Sequence, residues 1–373
     1  MQAFSKPGRG KPVLDIAPVP SYTLWRARPN YGLRRPDRQM AIGDQKKKYI
    51  VGVDLGGTNV RAAVLDRKTE QIVARGENLP SFALEGVEAT AKQIAKSAEL
   101  AIELAGITND QVLGVGVAVP GHVKPAEGMV MWAPNFRDQW RKVQIVKPIQ
   151  DSIGLPVHIG NDANLAALGE FTYGAGRSVR HLAMITLGTG IGGGIIIDGK
   201  ILEGADGGAA EVGHIVVMPG GRGGNGAFGS IEGLAQRDAI IERAARKVQE
   251  GRETVLAKLS DYDRFALTPA IIAEAAQAGD AVAKEVFEET GYYLGITVAN
   301  LINILNPQMI VVGGGIAQSG DLIMSPIRRA AYACAIRSLS RTCQIVPSEL
   351  GDNAGIMGAV ALIETEYGHG VSA

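Results

Sequence analysis

Three times in this 373-residue chain an apolar run stops at a cluster of glycines, and that recurrence narrows the possible folds more than any other property. Tyr49–Val53 leads into Asp54-Leu55-Gly56-Gly57-Thr58-Asn59. A second run leads into Leu187-Gly188-Thr189-Gly190-Ile191-Gly192-Gly193-Gly194, and Met309–Val312 leads into Gly313-Gly314-Gly315. A strand followed by a glycine turn lets backbone N–H groups approach phosphate oxygens with no Cβ in the way. Between the first two clusters lies Asn161-Asp162-Ala163-Asn164. An acid placed between two such loops can accept a proton while the loops hold a nucleotide, which is the arrangement of a phosphotransferase.

Composition sets the setting for that chemistry. Apolar residues make up 46% and charged residues 20%, the balance of a soluble globular protein. The length suggests two domains or one large one. A formal net charge of zero gives no global field to draw in nucleic acid or acidic lipid. No apolar run approaches the roughly 20 residues that span a bilayer. Cys334 and Cys343 are the two cysteines and form no Cys-x-x-Cys, so a reducing, cytoplasmic setting is expected. Residues 1–48 are rich in Pro, Gly and Arg and lack helix or strand periodicity, which predicts a disordered basic extension. Tyr22 and Trp25 among the basic residues raise a nucleic-acid arm, although such composition more often gives a solvated tail. Translation from Met40 is an alternative reading of the same segment, and no apolar stretch in it resembles a signal peptide.

From Tyr49 the pattern is regular. Strands are predicted at Tyr49–Leu55, Val60–Asp66, Gln71–Arg75, Val112–Val119 and Val157–Ile159, with helices at Gly86–Ala105 and near Val143–Ile153. The opening then recurs: strands at His181–Leu187 and Gly192–Asp198 flank another glycine turn. Helices around Ser230–Gln249 and Asp280–Asn306, strand Met309–Val312, helix Asp321–Ser338, strand Cys343–Pro347 and helix Ala354–Glu366 complete the chain. Two such openings imply a duplicated α/β fold with its ligand between the halves. The last helix is expected to return to the first half, giving a small domain of residues 49–162 plus about 350–373 and a large one of 163–349.

These motifs together resemble the sugar kinase and actin superfamily, with its duplicated ribonuclease H-like (actin-like ATPase) fold and an active site in the interdomain cleft. Within it the chain is similar to the glucokinase-like sugar kinases of the ROK family, from Tyr49 to about Glu366. The match rests on Asp54–Asn59, Asn161–Asn164, Gly188–Gly194, Glu211-Val212-Gly213-His214 and Gly313–Gly315 in that order. By that resemblance Asp54 positions Mg²⁺ through water, and Gly56, Gly57, Thr58 and Asn59 lie near the ATP phosphates. Gly188, Thr189 and Gly190 form the second phosphate loop, and Gly313, Gly314 and Gly315 border the adenosine. Asn135, Asn161, Glu211, His214 and Glu232 hold sugar hydroxyls, and Asp162 is the catalytic acid/base. The resemblance also implies a homodimer. Many members bind a structural zinc through three cysteines after the Glu-x-Gly-His motif. Here Gly223, Asn225 and Ser230 stand in those places, and His214 alone cannot supply the roughly four ligands zinc requires, so no zinc is expected.

The residue types suit the chemistry. Phosphoryl transfer needs positioning and charge neutralisation more than covalent help. Asp162 orients the sugar 6-hydroxyl and takes its proton; with an ordinary carboxylate pKa near 4 that transfer is expected late in the reaction. Asparagines offer a donor and an acceptor to hydroxyls that do both. Each residue also has a plainer reading: Asp162 as a helix-start acid, His214 as a satisfied partly buried histidine, Asp54 as a strand end, Gly313–Gly315 as a strand-to-helix turn. Glucose is the expected substrate. Mannose, fructose, N-acetylglucosamine and N-acetylmannosamine stay open, as does polyphosphate as donor. A sugar-responsive repressor or a binding-only sensor is the expectation from another class.

Overall fold

The computed structural model describes residues 46–133, 136, 140–221, 228–259 and 266–368. Most of the 1–48 extension therefore lies outside the described residues. Its last residues are tied down: the Lys47 and Lys48 carbonyls accept from Arg67, side chain and backbone, at 2.8 and 3.0 Å.

Two sheets repeat one topology. In the first, β1 (Tyr49–Leu55), β2 (Asn59–Asp66), β3 (Gln71–Arg75), β5 (Val112–Val119) and β9 (Val157–Asn161) lie in the order β3-β2-β1-β5-β9, and β4 (Leu79–Pro80) adds to β2. β1 runs antiparallel to β2 and parallel to β5, which runs parallel to β9. In the second, β10 (Leu182–Leu187), β11 (Ile191–Ile197), β12 (Lys200–Ile201), β13 (Met309–Gly313) and β14 (Gln344–Pro347) lie in the order β12-β11-β10-β13-β14 with the same directions. The duplication expected from the glycine clusters is thus explicit in the strand order.

Three apolar clusters fill the layers. On one face of the first sheet Val51, Val53, Val115 and Val117 pack with α1 (Val87–Leu104) and α2 (Val146–Ile153). Above the second sheet Ile185, Leu187 and Ile310 pack with α4 (Ile231–Ala235), α5 (Arg237–Gln249), α6 (Leu256–Leu259), α7 (Pro269–Gln277), α8 (Ala281–Leu305) and α9 (Asp321–Cys334). Between the sheets lie α3 (Asp162–Tyr173) and α11 (Ala354–Gly368), and they are exchanged. α3 follows the first sheet and packs on β10 and β11, while α11 follows the second and packs on β1 and β5. The last helix does return to the first half. All described residues fall in one compact unit, and no helix among them is long and apolar enough to cross a membrane.

Glycine makes that exchange possible. A Cβ on Gly116 would sit 1.9 Å from the Ala359 carbonyl oxygen, and one on Gly52 would sit 2.4 Å from that of Ile356. α11 therefore lies directly on the backbone of the first sheet. The alternating Gly/Val sequence of β5 is the trace of this: glycines toward α11, valines toward α1. On the second sheet Gly192 and Gly194 face Ala163 and Ala167 of α3 in the same way. Where α3 and α11 cross, a Cβ on Gly358 would meet the Leu165 carbonyl at 1.7 Å.

Three sequence expectations need correction. The helix near Val143–Ile153 begins only at Val146, because β8 (Arg141–Gln144) pairs with β7 (Met129–Trp132), which pairs with β6 (His122–Lys124) in a 3-stranded sheet. The helix read as Ser230–Gln249 is two, broken where Gln236 turns extended at ψ 172°. The helix read as Asp321–Ser338 ends at Cys334; Ala335 is extended, the Ile336 N–H donates to Asn303 Oδ1 at 2.8 Å, and α10 (Arg337–Ser340) follows. Periodicity alone does not see such breaks, since the apolar spacing continues across them.

Gly116→Ala should cost about 3 kcal/mol, by overpacking against the α11 backbone, in urea unfolding. Gly57→Ala, with nothing within 4 Å of its added Cβ, should change stability by less than about 0.5 kcal/mol.

Candidate active site

The parallel strands β1, β5 and β9 end together, and the end of a parallel strand at a sheet's carboxyl edge is where α/β folds place ligands. Asp54 is paired in register with Ala118, and Ala118 with Gly160. Asp54 and the Asn161-Asp162 step are thus two strands apart, about 10 Å across the sheet. Asn161 leaves β9 as the N-cap of α3: its Oδ1 accepts from the Asn164 N–H at 2.9 Å, and its amide donates to the Gly121 carbonyl at 2.9 Å. Asp162 is then the first helical residue rather than the cap. Freed of capping, its carboxylate accepts from the Ala163 N–H at 2.8 Å.

The setting raises the Asp162 pKa from 3.8 to about 7. Burial is the largest cause, since the charged form loses solvation; the carboxylates of Asp54 and Glu211 push the same way, and the Ala163 N–H pulls against them. The expectation of an ordinary carboxylate pKa near 4 is therefore overturned. A group titrating near neutrality is well matched to proton abstraction at physiological pH.

Ile191, the first residue of β11, is the hub of the other candidates. Its N–H donates to Glu232 Oε2 at 3.0 Å. Its carbonyl receives Gly213 so closely that a Cβ there would sit at 2.1 Å, which seats the Glu211–His214 turn on the strand. Glu211 and His214 project side by side, Oε2 to Nε2 3.8 Å, both exposed. Its neighbour Gly192 packs on Ala163, so Asp162, Glu211, His214 and Glu232 gather at one strand end. Glu232 is buried on α4, whose N-terminus is capped by the Ser230 hydroxyl through the Gly233 N–H at 3.4 Å. Buried Arg243 anchors the other end, Nη2 donating to the Leu234 carbonyl at 2.6 Å and Nη1 to Thr290 Oγ1 at 2.8 Å, with Glu289 3.2 Å from its Nε. The segment expected to lack zinc is thus held in its described part by a cap, by Val217 and Met218 N–H bonds to the Gly229 carbonyl, and by Arg243. Gly223 and Asn225 lie outside the described residues, as does Asn135.

The two hairpin turns occupy equivalent places. In the first, the Gly56 N–H donates to the Asn59 carbonyl at 2.8 Å and Gly57, Thr58 and Asn59 are exposed. In the second, the Gly188 N–H donates to the Gly190 carbonyl at 3.0 Å. The break between α4 and α5 places the Arg237 N–H on the Gly188 carbonyl, also at 3.0 Å. Gly314 and Gly315 are exposed beside this turn, Gly314 with φ 86° and packed on Leu187; Gly313 is buried against Met184. The run Gly192–Gly194 divides in function from Gly188–Gly190: the former are packing positions in β11.

Sequence reasoning missed two groups. Arg61 lies opposite Asp54 in the β1–β2 register and binds Asp54 Oδ2 through Nη2 at 2.6 Å. Hairpin arithmetic from the Gly-Gly-Thr turn was the signal available for it. Ser81, buried beside the first turn, carried no such signal.

The ROK family model matches residues 50–366. A glucokinase of Halalkalibacterium halodurans is 36% identical over 322 residues, 86% of this chain and 96% of that protein. A xylose repressor of Caldicellulosiruptor bescii is 31% identical over 343 residues, 89% of this chain and 83% of that protein. The crystal structure of a ROK family glucokinase from Streptomyces griseus in complex with glucose and AMPPNP superposes with a TM-score of 0.73 at 34% identity, covering 84% of this chain and 98% of that one.

The raised Asp162 pKa has a sign for stability. The unfolded carboxyl ionises near 3.8 and the folded one near 7, so folding stability falls as pH rises between them and is level above. Asp162→Asn removes this loss. The variant should gain on the wild type by roughly 2 kcal/mol between pH 4 and pH 8 in chemical denaturation, allowing for solvent at the cleft.

Proposed function

The chain belongs to the ROK family, and we propose that it is an ATP-dependent hexokinase that transfers the γ-phosphate to the 6-hydroxyl of glucose, with Asp162 as general base. The observation that carries the reading is the placement of Asp162 at the carboxyl end of β9 in a duplicated sheet whose halves each carry a glycine hairpin turn, with burial pushing its carboxyl up to about 7. Asp162 accepts a hydrogen bond from the 6-hydroxyl, points that oxygen at the γ-phosphorus and takes the proton as the new P–O bond forms and the bond to the bridging β-phosphate oxygen breaks, with ADP leaving. Because its pKa is far above that of a solvated aspartate, the proton has a better acceptor than the sequence alone implied. Glu211, Glu232, His214, Asn161 and Asn135 hold the remaining hydroxyls in this reading. Asn161 does so with the free lone pair and hydrogen of an amide already fixed by its cap.

Mg²⁺ fits the donor set near Asp54. Carboxylate oxygen suits a hard cation, and an ion that keeps waters and phosphate oxygens needs only one or two protein carboxylates. Bound there with ATP, the ion would neutralise charge on the β- and γ-phosphates. Asp54 would hold its water shell and exchange part of its contact with Arg61. The Gly56–Asn59 and Gly188–Gly190 turns supply N–H donors to the phosphates, and Gly314–Gly315 border the adenosine.

The match to a xylose repressor keeps a sugar-responsive regulator as a second reading. The base at Asp162 favours turnover over sensing. ATP-dependent phosphorylation of glucose, mannose, fructose, N-acetylglucosamine and N-acetylmannosamine tests both, with polyphosphate as alternative donor. Glucose should be the best substrate, and kcat/KM should fall about tenfold per pH unit below pH 7. Asp162→Asn should lower kcat about 10²–10⁴-fold and leave glucose affinity within about threefold. A variant that keeps wild-type turnover would remove Asp162 from the chemistry; operator binding with no turnover of any sugar would favour the regulator.

A further inference from the structure

We propose that Ser81 is a positioning residue for the donor phosphates, acting through the first hairpin turn; the inference rests on the phosphotransferase reading. Ser81 follows β4, whose Leu79 and Pro80 pair with Val60 and Asn59 at the start of β2. It is 1% exposed, a buried polar residue against a turn whose own residues are exposed. Its backbone N–H donates to the Thr58 carbonyl at 2.8 Å and its hydroxyl donates to the Gly57 carbonyl at 3.0 Å. The same oxygen accepts from the Ala83 N–H at 3.4 Å, and the Ala83 carbonyl accepts from buried Trp140 Nε1 at 2.8 Å. The strap is thus fixed to the core behind it.

Pinning those two carbonyls orients the donors. In a trans peptide the C=O and the following N–H point in opposite directions. With the Gly57 and Thr58 carbonyls drawn inward to Ser81, the N–H groups of Thr58 and Asn59 are turned outward, away from the strap. A turn of Gly-Gly-Thr would otherwise sample many peptide orientations, because its glycines impose little. The second hairpin uses the same device with different parts. There the Arg237 N–H holds the Gly188 carbonyl, which turns the Thr189 N–H outward. Each half of the duplicated fold therefore has a strap that aims the threonine N–H of its glycine turn. Among the described residues Ser81 bonds to Gly57, Thr58 and Ala83 and not to Asn161, Asp162, Glu211, His214 or Glu232, so its effect is expected on the phosphate side.

The experiment uses the full chain with Ser81→Ala and Ser81→Thr. Binding of the non-hydrolysable analogue AMP-PNP with Mg²⁺ is measured by calorimetry, and KM for ATP and glucose by coupled assay, with thermal unfolding alongside. Ser81→Ala should weaken AMP-PNP binding and raise KM for ATP about tenfold, leave KM for glucose within about twofold, and keep a cooperative melt. Ser81→Thr, which retains the hydroxyl, should recover most of the loss. Unchanged nucleotide affinity in Ser81→Ala would overturn the proposal, as would parallel rises in both KM values with no recovery in Ser81→Thr. A wild type that binds AMP-PNP but phosphorylates no sugar would fail the kinase reading alone. The binding comparison would still decide the role of Ser81.

Discussion

The exchanged crossing of α3 and α11 is the contact on which the rest of the molecule depends. Each helix issues from one sheet and lies on the other, and both approach within backbone contact because glycines line the route: Gly52 and Gly116 under α11, Gly192 and Gly194 under α3, Gly358 at the crossing. Dispersion attraction falls steeply with separation, so removing the Cβ layer converts a side-chain contact into close backbone packing. The arrangement also fixes Asp162, which begins α3 at the carboxyl end of β9. Buried Glu170, two turns on, ties the other end of α3 to the chain entering α11. It accepts from the backbone of Ala175 and Leu350 at 2.9 and 2.8 Å and from the Ser348 hydroxyl. Asp162 is therefore carried on an element locked to both halves.

That placement has a thermodynamic consequence. Asp162 is held where its charged form is poorly solvated and is repelled by Asp54 and Glu211, which opposes folding once the carboxyl ionises. Functional groups commonly oppose stability in this way, and the compensating terms lie elsewhere. Here they include the three apolar clusters and the Arg243, Lys247, Glu285 and Glu289 network, where Lys247 Nζ is 2.7 and 2.6 Å from two carboxylates. Arg243 within that network also steadies α4 and hence Glu232, so core packing and site geometry share a residue.

The duplicated fold, the strands β1, β2, β3, β5 and β9 and the order of motifs were legible in the sequence, because a strand that stops at a glycine turn is a local event written in a few residues. Asp162 was legible as a candidate for the same reason. Its pKa was not, since the shift arises from burial and from carboxylates far along the chain. The small sheet of β6, β7 and β8 escaped notice because its strands are short and its partners set its edges. The break at Gln236 escaped because apolar spacing runs through it, although that break is what delivers the Arg237 N–H to the second turn.

The sequence by itself determined the main strands of the two sheets and their glycine turns, that the unit occurs twice, and which acid lies between the glycine clusters. These depend on backbone preference and on side-chain period, both short-range. Only the tertiary structure decided which glycines are packed under other chain and which lie in the hairpin turn. Gly188–Gly190 and Gly192–Gly194 read alike in sequence, yet the first group forms the hairpin turn, while Gly192 and Gly194 lie under α3 and Gly193 against Val212. The physical reason is that a missing Cβ acquires meaning from what occupies its space, and that neighbour is set by distant chain.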